Sequence, residues 1–153
     1  MKITDFLTLE GVVTSLQSKE KNAALKEMAD RLAACEPSLN AQKVFQVLLD
    51  REKISTTAIG EGVAIPHGKL PGVQRVIGIF ARSPEGVDFT SLDGGPTHLF
   101  FVLMAPEDAA ADHLKALARI SRLLKDPAFR SQLMAGETSQ EIFSMIAAED
   151  QKF

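Results

Sequence analysis

Between Leu99 and Ala105 the chain reads Leu-Phe-Phe-Val-Leu-Met-Ala, with no polar residue. The run is far short of the roughly 18 apolar residues a membrane span needs, and it has the length of a strand rather than a helix. A strand with one wet face alternates apolar and polar side chains. This one is apolar on both faces, so it reads as a central strand covered from above and below. A sheet of that kind requires packed elements on each side, and the rest of the chain must supply them.

Leu9 to Leu16 reads as a short first strand. Ser18 is placed to cap a first helix, with Leu25, Met28, Ala29 and Leu32 at helical spacing as far as Glu36-Pro37. Asn40 is placed to cap a second helix whose apolar stripe is Val44, Val47 and Leu48; three residues further, the stripe reaches Arg51, at the core edge or a cleft. Val76 to Phe80 is a buried strand, Ser83-Pro84-Glu85-Gly86 a turn, Val87 to Phe89 a short strand and Asp93-Gly94-Gly95-Pro96 another turn. Asp112 is expected to cap a third helix that packs Leu114, Leu117 and Leu124 inward. Asp126-Pro127 opens a short helix that Gly136 ends. Thr138 and Glu141 form a capping box for a last helix packing Ile142, Phe143 and Ile146. The order, a strand, two helices, several strands and then helices, predicts a mixed sheet with helices on both faces.

The 153 residues carry no repeat or low-complexity segment and are expected to form one domain, 1–153. A net charge of −3 argues against a general nucleic-acid binder. The single cysteine, Cys35, cannot form an internal disulfide, and Met1-Lys2-Ile3-Thr4-Asp5 lacks the layout of a signal peptide. A reducing, cytoplasmic location is expected, with no membrane span.

Residues 55–72 change character: turn formers surround a short apolar piece, Val63 to Ile65, in a loop of the length that is commonly functional. Within it His67 stands between Pro66 and Gly68, so it cannot be mid-helix and is not expected mid-strand. Pro66 stiffens one side and Gly68 permits close approach of a backbone or ligand. A neutral imidazole is a good nitrogen nucleophile, and its phosphorylated form is labile enough to pass the group on. An exposed turn histidine is the alternative. His113 aligns with Leu117, Ile120 and Leu124, so it faces inward from the start of a helix, where the positive end of the dipole favours the neutral ring. It could donate to a phosphoryl oxygen, or to a local carbonyl. Arg51 could grip a phosphoryl group or pair with Asp50, Glu52 or Glu107. Thr56 and Thr57 offer hydroxyls, and Gly60 and Gly62 let backbone amides turn toward an anion. His98 reads as structural or exposed. The positions 67, 98 and 113 lack metal-ligand spacing, so no metal is expected, and no Walker motif is present.

The string Arg51-Glu52-Lys53, Thr57-x-Ile59-Gly60-x-Gly62-x-Ala64-Ile65-Pro66-His67-Gly68, with Leu99 to Pro106 and then Asp112-His113-Leu114, resembles the enzyme IIA proteins of the fructose/mannitol type in the bacterial phosphotransferase system. The likeness covers about residues 5–148, and Gly68-Lys69 looks like the nitrogen-regulatory branch. The resemblance implies an α+β fold, a three-layer α/β/α sandwich around a mixed sheet. It implies that His67 accepts a phosphoryl group from a histidine-phosphorylated, HPr-like carrier, that His113 supports the group, and that Arg51 and Thr57 belong to the site. Gly60, Gly62, Pro66 and Gly68 would support the loop, and no cofactor is implied. Regulatory targets would be partner proteins such as a transporter or sensor kinase. The competing outputs are phosphate transfer to a sugar-specific IIB protein, or partner binding independent of phosphate. The chain departs from the family pattern at Ala58, where many members have Gly; Glu61 fills a variable slot. Leu70 and Val73 are expected on the rim where the donor docks.

Overall fold

The computed structural model describes residues 1–153. Its elements are a 3-10 turn Ile3–Asp5, β1 Leu7–Val13, α1 Lys21–Cys35, α2 Ala41–Ile54, β2 Ala58–Gly60, β3 Val63–Ala64 and β4 His67–Lys69, followed by β5 Ile77–Val87, β6 Thr97–Ala105, α3 Ala110–Leu124, α4 Pro127–Ala135 and α5 Ser139–Asp150. The sheet runs β1-β5-β6-β3-β2, with β4 also paired to β6. β1 is parallel to β5, β5 antiparallel to β6, and both β3 and β4 parallel to β6. The expected α/β/α sandwich with a mixed sheet is what forms.

The apolar run behaves as its composition demands. Along β6, Phe100, Val102 and Met104 point into one core with α1 and α2, while Leu99, Phe101, Leu103 and Ala105 point into a second core with α3, α4 and α5. All seven are buried. At roughly 25 cal/mol per Å² of apolar surface removed from water, this two-sided burial is the main force joining the layers. No helix is long and apolar enough to cross a membrane.

Several local expectations are corrected. Ser18 does not cap α1: its N–H and hydroxyl donate to Glu27, as does the Gln17 N–H, and the helix starts after Glu20. Asp112 is likewise inside the first turn of α3, which opens after Ala109. Ser83-Pro84-Glu85-Gly86 lies within β5, where the register with β6 shifts between Arg82 and Val87, so the turn residues make an irregularity in a strand instead of ending it. Leu114, expected inward, is 67 % exposed. Asn40 and Asp126 cap as read, accepting from the N–H of Lys43 and Ala128. Thr138 accepts from the Glu141 N–H, but Glu141 returns its bond to the Glu137 N–H, one residue upstream of the cap.

Two buried charges close the edges. Arg82, on β5, donates to the carbonyls of Leu133, Met134 and Gly136 at the C-terminus of α4, and to Thr14. Asp150, with no exposed surface, accepts from the Ile3 N–H at 2.7 Å and from the Arg119 guanidinium. Nearby, Lys2 and Arg119 donate to the Phe153 carbonyl, so the two chain ends meet against α3.

Candidate functional site

β3 and β4 are two parts of one interrupted strand. Val63 lies opposite Leu99 and His67 opposite Leu103, so the register with β6 continues across Ile65-Pro66. Pro66 has no N–H to give the ladder, although its carbonyl still accepts from Leu103. His67 is therefore the first residue of a three-residue strand, at the end of the break. Alternation along a strand sends neighbouring residues to opposite faces. His67 goes to the α3 face and Gly68 to the α2 face, where a Cβ on Gly68 would collide with Val47.

The imidazole of His67 is half-buried and its Nδ1 lies 2.7 Å from the Ile65 carbonyl. A carbonyl can only accept, so Nδ1 carries the hydrogen and the lone pair of the neutral ring resides on Nε2. The ring of His113 stands 5.4 Å away, centroid to centroid, at 72° to it. His113 itself is buried, and its Nε2 has no hydrogen-bond partner in the protein. Burial lowers the pKa of both histidines. For His67 the bond to Ile65 opposes that shift, while the Arg51 charge adds to it and the Glu52 charge opposes it. For His113 the neighbouring His67 and Lys69 lower the value further. Both rings are thus held neutral near pH 7, His67 with its Nε2 lone pair free and His113 with its Nε2 unpartnered.

The other sequence candidates are not all brought to this pair. Arg51, in the last turn of α2, donates to the Ser55 carbonyl at 2.9 Å and acts on His67 through its charge. The Thr57 hydroxyl is not a free donor: it donates to the buried Glu52 carboxylate, which also accepts from the Thr57 N–H at 3.0 Å. Gly60, Glu61 and Gly62 all have positive φ, and the Glu61 N–H donates to Asp93. This is the tight turn joining β2 to β3. At about 3.3 Å per strand residue it lies roughly 16 Å from His67, so its amides do not reach the ring. His98 sits beside that turn, with its Nδ1 donating to the Ser83 carbonyl at 2.8 Å. Leu70 and Val73, expected on the rim, are buried, whereas Leu114, next to His113, is exposed. The sequence names Glu52 as a possible partner of Arg51 and as part of the string Arg51-Glu52-Lys53, with no role of its own. The signal that could have found one is its place four residues past Leu48 on the buried Val44-Leu48 stripe of α2.

The chain has relatives of known family. The sequence profile of the family described as "Phosphoenolpyruvate-dependent sugar phosphotransferase system, EIIA 2" matches residues 5–149, and the chain belongs to that family. It is 49 % identical over 147 residues to a nitrogen regulatory protein of Bradyrhizobium diazoefficiens, covering 96 % of this chain and 95 % of that one. It is 41 % identical over 150 residues to the fructose-specific EIIABC component of Bacillus subtilis, covering 98 % of this chain but 24 % of that protein. Among solved structures, nitrogen regulatory protein IIA-Ntr of Neisseria meningitidis superposes with a TM-score of 0.88 at 34 % identity, covering 94 % of this chain and 98 % of that one. The chain is thus a phosphotransferase-system component of the EIIA type.

Proposed function

We propose that this protein is a phosphohistidine carrier whose acceptor atom is Nε2 of His67, loaded by a histidine-phosphorylated, HPr-like protein. The observation that carries this reading is the Nδ1–H bond to the Ile65 carbonyl, which leaves the Nε2 lone pair free beside His113. Nε2 attacks the donor's phosphorus in line. An N–P bond forms at His67 as the donor's N–P bond breaks, and that electron pair returns to the donor's ring. Such transfer depends mainly on positioning and on charge stabilisation. His113, whose buried Nε2 lacks a partner, donates to a phosphoryl oxygen. Arg51 adds positive charge nearby, and Thr57 holds the loop through Glu52. The donor docks around Leu114, with Lys69 and Lys115 exposed beside it.

The output is regulatory, by phosphorylation-dependent binding of partner proteins, as the similarity to nitrogen regulatory proteins supports. A phosphoryl group adds up to about two negative charges at the docking rim, enough to change which partner binds. The similarity to a fructose-specific component supports a second reading, transfer onward to a IIB protein.

Intact-mass analysis after incubation with phosphoenolpyruvate, enzyme I and an HPr-like carrier tests the reading. An acid-labile phosphoryl adduct on the wild type and none on His67→Ala is expected. Full labelling of His67→Ala overturns the assignment. Loss of the adduct on adding a IIB protein favours the sugar output.

A further inference from the structure

The buried carboxylate of Glu52 is the start of a continuous line of hydrogen bonds that ends on the imidazole of His67. Its two oxygens accept the N–H and the hydroxyl of Thr57. The Thr57 carbonyl accepts the Ile65 N–H at 3.3 Å. The Ile65 carbonyl accepts His67 Nδ1–H at 2.7 Å. On its other side Glu52 pairs with Lys21 at 2.9 Å, and that ammonium also donates to Thr90 and lies over the Phe89 ring.

We infer that Glu52 is a positioning residue for His67, acting through Thr57 and Ile65 to hold the ring in the tautomer that frees Nε2. This rests on the reading of His67 as the phosphoryl acceptor. Beyond Ala58↔Ala64 strand β2 no longer follows its neighbour, so no ladder fixes residues 65 and 66 on that side. The bond from Ile65 to Thr57 replaces the missing ladder, and Thr57 is itself fixed by two bonds to one carboxylate. A carboxamide at position 52 keeps one acceptor oxygen for the Thr57 N–H, but it replaces the oxygen that accepts the Thr57 hydroxyl with an NH2 donor and removes the charge, so the charge-assisted hydroxyl bond is lost. The loop then loosens, the Ile65 carbonyl drifts, and the proton redistributes between the two ring nitrogens. A misplacement of about 1 Å at a reacting group costs up to about a hundredfold in rate.

A merely structural role would tie Glu52 to Lys21 alone, joining α1 to α2. Nitrogen-15 spectra of the histidine side chains separate the two roles, because they show which ring nitrogen of His67 is protonated. In the full chain near pH 7.5, the wild type should show the Nδ1–H form. Glu52→Gln should show a mixture of both tautomers and transfer about tenfold or more slowly. Thr57→Val, which keeps the backbone bond and removes the hydroxyl bond, should shift the same way and guards against a misfolded Glu52→Gln; Thr57→Ser should recover most of the loss. Lys21→Met should lower the melting temperature while leaving the tautomer as in the wild type. A wild-type tautomer and rate in both Glu52→Gln and Thr57→Val overturns the inference, as does a tautomer shift in Lys21→Met as large as in Glu52→Gln. If the tautomer responds as expected but no protein acquires an adduct, the acceptor reading fails and the positioning role stands.

Discussion

Gly68→Ala puts the close packing of β4 on α2 to the test. The added methyl would fall more than about 1 Å inside the roughly 3.5–4.0 Å of an ordinary carbon–carbon contact with Val47 Cγ1, while Val47 Cβ stays at an acceptable 3.7 Å. The clash is thus with one methyl of a β-branched residue in a helix, which strongly prefers a single χ1 rotamer and cannot swing aside freely. Overpacking of this kind costs about 1–3 kcal/mol. For a chain of 153 residues that is a fall in Tm of about 2–4 °C per kcal/mol. Removing the offending methyl should relieve it. Val47→Ala alone should cost about 1 kcal/mol as a half-buried truncation, and in the double variant the two losses should fall short of their sum by about 1 kcal/mol or more. Urea unfolding with unchanged m-values reads all four corners of the cycle. Phosphoryl transfer should follow the same pattern, because a displaced Gly68 drags the neighbouring His67. A loss below about 0.5 kcal/mol for Gly68→Ala, or strict additivity with Val47→Ala, would refute the packing argument.

His113→Ala should slow phosphoryl transfer by about a hundredfold, the usual cost of one donor to developing charge, without abolishing the adduct; rapid-quench kinetics reads this, and an unchanged rate removes His113 from the mechanism. Both site histidines are held below the ordinary histidine pKa of about 6.5 in the fold. The unfolded chain therefore takes up protons first, so stability falls as pH drops through about 6.5 and levels off below the folded pKa values. The double variant His67→Gln, His113→Gln should lose less Tm than the wild type between pH 7.5 and 5.5, and parallel curves would contradict the linkage. Asp150→Ala strands the Ile3 N–H and the Arg119 guanidinium in a buried site, and should cost about 3–5 kcal/mol in chemical denaturation; a loss under about 1 kcal/mol would mean water replaces the carboxylate.

The layers were legible because they rest on periodicity. Seven apolar residues in a row at Leu99–Ala105 demanded cover on both sides, and the caps Asn40 and Asp126 announced their helices through local chemistry. What escaped was decided by partners distant in sequence. Ser18 looks like a cap until Glu27, nine residues away, claims its N–H and hydroxyl. Ser83-Pro84-Glu85-Gly86 has every mark of a turn, yet pairing with β6 on either side carries the strand through it. Leu114 fits the inward stripe by spacing, but sits one residue past His113, on the exposed side of α3. At the site, the motif pointed to His67 and His113 through residue type, and the fold sets them ring against ring. It could not tell that Gly60 and Gly62 build a hairpin turn far down the strand, or that Thr57 answers to Glu52, because both depend on which carboxylate a hydroxyl or amide meets in space.

The meeting of the chain ends at Asp150 has a practical side. Arg119, which binds that carboxylate, lies six residues along α3 from His113, or about 9 Å at 1.5 Å per residue. A tether joined to either end would leave from the same point on the surface, on the far stretch of the helix that carries His113. The choice of N- or C-terminal fusion should therefore change little in how a linked domain reaches His67, and a short linker between the ends should permit circular permutation with new termini opened at the exposed turn around Gly94.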